Sequence, residues 1–579
     1  MAAIINALDN HTPTQLGENG HVEYGWSNSI REKIAQFNFQ LVRADDNRVT
    51  ELGVILRDVL TPLKATLTNQ YSTLPEKEVA KGYLSVLYRM IGQTRDIIDG
   101  KGEYTLTFMM IHTWYDFYPV LAKFALKCLV DLNDKKIHQY GSWKDIKYFC
   151  EYCKSKGADL THPLIEFGIQ LLNEQLRKDE MATEVNNLSL LARWVPREKS
   201  SFGWLYESLA CDYYNQFMVT ATNEVQKRKA VLKCKTQYRK LLSSLNIKLD
   251  TTQIKQCTGQ WSNIDFATKV TSITISKQKK AFLNVKEDNS VRFPDNQDRV
   301  DCAEHFKARI KKAAAGEVEI KGKRVAMVDF TKQARELQNN RSSQDEIDLL
   351  NSQWRDNGSL TGALGKMIAM VDVSGSMSGD PMEVAIALGI RIAEKSALGK
   401  RVMTFSASPT WVNLEPFPDF VSMVGVVQRA DWGMNTNFKA ALNMILNAII
   451  ENKMAPEDVQ DMILVVLSDM QMDSGDNCDK KALYQEMEEK YAEAGNRVHG
   501  KPYKPPHILF WNLRSTDGFP SLSTQANCSM MSGFSPALLN FFCEKGMEAL
   551  ESCTPWQVLV QSLENERYKI LADKLEESV

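Results

Sequence analysis

The chain has 579 residues, 44% of them hydrophobic and 25% charged, with a net charge of −2. That composition is that of a soluble globular protein with room for two to four domains. No run of about 18 apolar residues occurs, which excludes a membrane span.

Residues 1–24 are polar and read as a mobile N-terminus. They have neither the basic n-region nor the apolar core of a secretory signal. The eleven cysteines are odd in number and scattered. Both features fit reduced thiols in an intracellular compartment, the cytoplasm, with nucleus and virion left open. Cys150 and Cys153 form a lone C-x-x-C in an aromatic helical pattern. Zinc would need a second pair, so these read as core cysteines.

From Asn28 to Leu245 the pattern is helical almost throughout. Apolar residues recur at three- and four-residue spacing in Val54–Leu67, Lys81–Ile98, Leu106–Leu132 and Pro163–Leu176. Further helices are expected at Leu188–Trp194, Trp204–Phe217 and Lys229–Leu245. Residues 25–330 therefore read as an all-α array, either an α-solenoid or an irregular one, and no fixed-period repeat supports a regular repeat protein. Between Gln226 and Arg324 stand 23 Lys/Arg against 10 Asp/Glu. This block is either a polyanion surface or a set of solvated helix faces. Its densest part, Gln226–Leu242, offers Lys227, Arg228, Lys229, Lys233, Lys235 and Arg239 for phosphate contacts.

Residues 331–365 are rich in Gln, Asn, Ser and charge and read as a connector with one helix around Gln344–Trp354. The texture then changes over residues 366–579. Short apolar runs at Met367–Val371, Val402–Phe405, Met462–Leu467 and Ile508–Leu513 alternate with helical patterns at Met382–Ala397, Asn437–Glu451 and Lys481–Glu493. Apolar on both faces and separated by helices, such strands predict a doubly wound parallel sheet.

Ligands bind doubly wound sheets at the carboxyl ends of the strands. Asp372, Ser374 and Ser376 follow the first run, with Gly375 letting the backbone come close. Thr436 lies in a polar loop before a helix, and Ser468 and Asp469 follow a later strand. All are hard oxygen donors, suited to Mg²⁺ or to Ca²⁺/Mn²⁺. If the site were vestigial, Asp380 would merely cap the next helix, with Pro381 at its first position. The histidines are dispersed, and no P-loop, H-E-x-x-H or G-x-S-x-G motif is present, which argues against an enzyme.

The ordered set D-x-S-x-S, a threonine loop and a distal strand-end aspartate resembles the von Willebrand factor A domain and its metal-ion-dependent adhesion site. The resemblance implies a metal held by Asp372, Ser374, Ser376, Thr436 and Asp469. Where the family often has G-G-T-N, this chain reads Met434-Asn435-Thr436-Asn437. Three earlier stretches, Arg95–Pro119, Tyr140–Ile146 and Ala192–Ser201, resemble the TROVE half of Ro ribonucleoproteins, a HEAT-like helical array joined to an A domain. Gln260–Thr271, Met377–Gly389 and Met531–Leu539 resemble more closely a family of plant and giant-virus proteins with the same two halves and no assigned function. The resemblance implies a non-enzymatic binding protein without a small-molecule substrate. Its metal site would capture an acidic residue of a protein partner, and its helical half would bind single-stranded or structured RNA. Arg95 and Lys101 are then candidate phosphate contacts, or else parts of a helix joint turned by Gly100 and Gly102. Trp143, Arg193 and Trp194 are either interhelical packing or stacking contacts. A scaffold factor that binds only protein is the alternative.

Overall fold

The computed structural model describes residues 11–18, 20–132, 138–339, 343–405, 409–430, 438–460, 462–471, 483–545 and 553–579. The helices of the first half pack by their apolar stripes, as the spacing predicts. Asp45 and Thr73 open two long ones, Asp46–Thr68 and Leu74–Arg95, by accepting the N–H groups of Arg48 and Glu76. The single helix expected over Leu106–Leu132 is two, Thr105–Phe117 and Pro119–Cys128, because Pro119 cannot continue the first helix's hydrogen bonds.

The helices from Ile30 to Leu249 share one core. The C-terminal helices Pro555–Leu563 and Glu566–Ser578 return to that core, burying Leu559, Leu563, Tyr568, Leu571 and Leu575 in it. Packing therefore assigns them to the helical half, although the sequence places them after the sheet. Ile264 to Ile320 form a smaller satellite core.

Two readings along the chain are corrected. The connector over residues 331–365, expected to hold one helix around Gln344–Trp354, holds that helix and the end of a second. Met327–Asn339 and Gln344–Gly358 are amphipathic helices that lay Phe330, Ala334, Leu350 and Trp354 on one face of the sheet. The N-terminus is not simply polar and mobile where it is described. β1 (Thr14–Leu16) and β2 (Val22–Tyr24) form an antiparallel hairpin, and Tyr24 and Phe519 exchange backbone hydrogen bonds of 3.0 Å.

The sheet has six strands among the described residues: β3 (Met367–Asp372), β4 (Arg401–Phe405), β5 (Thr410–Asn413), β6 (Ile463–Ser468), β7 (His507–Asn512) and β8 (Cys528–Ser532). Their spatial order is β5-β4-β3-β6-β7-β8, all parallel except the β4–β5 pair. Counted from β3, this is the 3-2-1-4-5-6 order of doubly wound sheets. Alternate residues of β3 feed opposite faces. Met367, Ala369 and Val371 pack with helix Asp380–Lys395, while Ile368 and Met370 join the core on the other face. The molecule is thus an all-α array joined to an α/β sheet.

Candidate metal centre

The strand order reverses between β3 and β6, the central pair, and the carboxyl ends of such a pair are where doubly wound sheets bind ligands. Asp372 ends β3 and Asp469 follows β6 by one residue, and both are fully buried. The Ser374 N–H donates to Asp372 Oδ1 at 2.9 Å, and Ser468 Oγ–H donates to Asp372 Oδ2 at 2.6 Å. This Asx turn swings the chain so that Ser374 Oγ and Ser376 Oγ lie 3.1 Å apart. After β6 the Gln471 N–H donates to Asp469 Oδ1 at 3.1 Å, and Arg514 Nη1, from the loop after β7, donates to Asp469 Oδ2 at 3.2 Å. Met470, between them in the chain, takes φ 65°, a left-handed conformation that costs energy outside glycine.

Burial, and next the field of Asp469, push the Asp372 carboxyl up to about 7. Of the two buried carboxylates, Asp469 is paired with Arg514, whereas Asp372 has no cationic partner among the described residues, and a divalent cation would supply one. The donors are carboxylate and hydroxyl oxygens, the set that Mg²⁺ prefers. The residues therefore fit a metal. Among the described residues no three His, Cys, Asp or Glu side chains converge, so such a site relies on its serines and on water.

Asp372, Ser374, Ser376 and Asp469 are brought to one end of the sheet. Thr436 and its flanking residues lie outside the described residues. Gly375 is not needed for close approach, since a Cβ there would meet nothing within 4 Å. The residue that needs glycine is Gly379, at φ +95°. Asp380 does not cap the following helix but lies in its first turn, its carboxylate taking a hydrogen bond from Lys332 at 2.6 Å.

Ser468, Gln471 and Arg514 complete the arrangement. The N-terminal hairpin also reaches it, for the Glu18 N–H donates to Gln471 Oε1 at 2.6 Å. Arg514 carries no local motif in the sequence, because its partner lies 45 residues away.

The proposed phosphate contacts fare differently. Arg95 and Lys101 are corrected: both are buried and belong to the joint alternative. Arg95 is 1% exposed and grips Asp145 through two hydrogen bonds of 2.7 and 3.0 Å. Lys101 is 4% exposed, and its ammonium donates to Asn38 O, Leu41 O and Ser532 Oγ at 3.0, 3.1 and 2.7 Å. Lys227, Arg228, Lys229, Lys233 and Arg239 are exposed on helix Glu224–Leu249. Lys235 is half-buried between Glu198 and Glu207. Trp143 is buried, whereas Arg193 and Trp194 stay half-buried. Cys150 and Cys153 are fully buried, as core cysteines should be.

With the site described, comparison with other proteins places part of the chain. Residues 366–576 match the family model of a domain of unknown function, DUF7788. The match begins one residue before β3 and takes in the sheet and the returning helices. The chain is also 28% identical over 503 residues to an uncharacterised protein of Acanthamoeba polyphaga mimivirus, covering 83% of this chain and 79% of that one. Both accord with a resemblance to an uncharacterised giant-virus family.

Proposed function

We propose that the protein is a non-enzymatic, two-part binding protein: an A-type domain that captures an acidic ligand through a divalent cation, and a TROVE-like helical half that binds RNA. The observation that carries the first part is the convergence of buried Asp372 and Asp469 with the Ser374–Ser376 hydroxyl pair at the sheet's switch point. Asp372, Ser374, Ser376 and Asp469 would hold Mg²⁺, directly or through water, with Thr436 joining them if its loop follows the family pattern. The bound ion would offer an open position to a carboxylate or phosphate oxygen. Ser468 keeps the Asp372 carboxylate oriented, and Arg514 does the same for Asp469 while adding positive charge at the rim. The second part is supported by the exposed cations of helix Glu224–Leu249.

The test is titration of the full chain with Mn²⁺, followed by electron paramagnetic resonance. Saturable binding at one site, displaced by Mg²⁺ and weakened at least tenfold by Asp372→Ala and by Asp469→Ala, is the expected result. Failure of the wild-type chain to bind Mn²⁺ overturns the metal-dependent reading.

A further inference from the structure

On one face of the helical half, cations and aromatic rings interleave, and among the described residues no carboxylate pairs with these cations. Lys144 and Lys147 stand one turn apart on helix Lys144–Ser155 and so share a face. The Lys144 ammonium lies 5.0 Å from the ring centre of Tyr104 and 5.9 Å from that of Trp194. The Lys147 ammonium lies 5.4, 5.4 and 5.1 Å from the rings of Tyr148, Trp194 and Phe202. The Arg193 guanidinium is 5.1 Å from Trp194. The Tyr148 ring meets Tyr104 and Phe202 edge-on, at 6.0 and 5.3 Å. Three segments distant in the chain supply these groups. Tyr148 is 39% exposed, and Tyr104, Trp194 and Phe202 are half-buried.

The neighbouring carboxylates are engaged elsewhere. Asp145 grips Arg95, Glu151 accepts from the Trp204 indole, and Glu198 pairs with Lys235 and Arg239. Among the described residues, Lys144, Lys147, Arg193 and Arg197 have no carboxylate within salt-bridge distance. Arg197 and Lys144 instead add to the burial that lowers the Lys147 ammonium's affinity for its proton. A packing role alone gives no reason to gather like charges without counter-charge. A polyanion supplies the missing charge, and rings set among the cations offer stacking surface to its bases. Duplexes keep their base faces covered, so alternating rings and cations suit an unpaired strand better.

We infer that this face is a platform for single-stranded nucleic acid, with phosphates on Lys144, Lys147, Arg193 and Arg197 and bases stacked on Tyr148 and Trp194. The inference rests on the reading that the helical half binds RNA and moves the contact away from the basic helix Glu224–Leu249. The four cations interact with the backbone whatever the sequence, so recognition is general.

The test uses fluorescence anisotropy of a labelled oligo(U) of about 12 nucleotides, within the site size of such platforms, on the full chain at several salt concentrations. Four phosphate contacts predict a slope of log K against log salt near −3, at about −0.7 per contact. Tyr148→Ala, on the most exposed ring, weakens binding by roughly 5- to 150-fold, the effect of one lost stacking partner. The pair Lys147→Gln/Arg197→Gln flattens the slope by about 1.4. Heparin, a polyanion without bases, binds Tyr148→Ala as it binds wild type. Unchanged thermal unfolding shows that each variant is folded. If oligo(U) binds, but these variants bind it normally while Lys227→Gln/Arg228→Gln/Lys229→Gln does not, the platform is refuted and the RNA reading stands. If wild type binds no oligo(U) at low salt, both fall. Equal affinity for duplex RNA refutes the stacking platform.

Discussion

Replacing Asp145 by Asn should unfold the helical half at a much lower temperature without altering any ligand contact. Arg95 and Asp145 are 1% and 0% exposed, and the guanidinium and carboxylate meet through two hydrogen bonds. The Ser142 N–H donates to the same carboxylate at 3.2 Å, and the guanidinium lies 4.1 Å from the ring centre of Tyr104. Asn keeps the shape and removes the charge, so the guanidinium stays buried without its counter-ion. Breaking a buried pair in this way costs about 3–5 kcal/mol. At 2–4 °C per kcal/mol for a domain of roughly 150–250 residues, the helical transition should fall by roughly 6–20 °C. Far-UV circular dichroism during heating follows it. Arg95→Met combined with Asp145→Leu removes both charges and should recover most of the loss. The reasoning is refuted if Asp145→Asn melts within about a degree of wild type. It is also refuted if Arg95→Met lowers RNA affinity while leaving the melting point unchanged, since Arg95 would then be an accessible phosphate contact.

Three further outcomes follow from the packing. Burial, opposed by the field of Glu103, pushes the Lys101 ammonium down to about 7; between about pH 7 and 10.5 the unfolded chain therefore holds more protons, and stability rises with pH by up to about 1.4 kcal/mol per unit. Urea midpoints across that range should show the rise, and Lys101→Met should flatten it. A Cβ on Gly389 would lie 2.5 Å from Val371 Cγ2, so Gly389→Ala should lose about 1–3 kcal/mol to overpacking, offset by about 1 from helix propensity; Val371→Ala in the same chain should cost less than it does alone, as denaturant midpoints of the four variants would show. Finally, Mn²⁺ affinity should agree within about twofold with and without saturating oligo(U).

Much of the sheet was legible because its strands are local signals. Buried runs between helical patterns announced β3, β4, β6 and β7 within a residue or two of their observed limits. β5 and β8 escaped notice. Trp411 is exposed and Thr410–Asn413 pairs only along the antiparallel edge, while β8 reads CSMMS, without a branched apolar run. The site's first-strand residues were legible for the same reason, being bound to one turn. Arg514 and Gln471 were not, because tertiary contact alone brings them to Asp469 and the hairpin. The burial of Arg95 and Lys101 is illegible in the sequence for a physical reason as well. A cation beside glycines reads alike whether it faces solvent or a carboxylate folded back from 50 residues away. The C-terminal helices show the same limit, since their apolar stripes do not say which core they enter.

The expected independence of the two ligands rests on the joint between the halves. Lys101 ties the loop before Tyr104 to Ser532 at the end of β8. Glu103 takes two hydrogen bonds from Arg43, at 3.0 and 3.2 Å, and Arg43 Nη1 lies 3.8 Å from Asp380, in the helix that leaves the serine turn. Glu32 accepts from Ser523 N–H and Oγ–H, in the loop before β8. These bonds link the aromatic face to the candidate metal site through a short chain of side chains, so proximity alone would suggest communication. Coupling, however, requires an element with two arrangements that the ligands favour unequally. Glu32 and Lys101 are buried, and opening the joint would break the hydrogen bonds they make across it, at a cost of about 1.5–3 kcal/mol each. Neither a metal satisfying two existing carboxylates nor a strand laid on an existing face gains from that opening. The joint therefore fixes the separation of two sites rather than transmitting between them. Any RNA and acidic partner held together would gain from effective concentration, with no change in either intrinsic affinity.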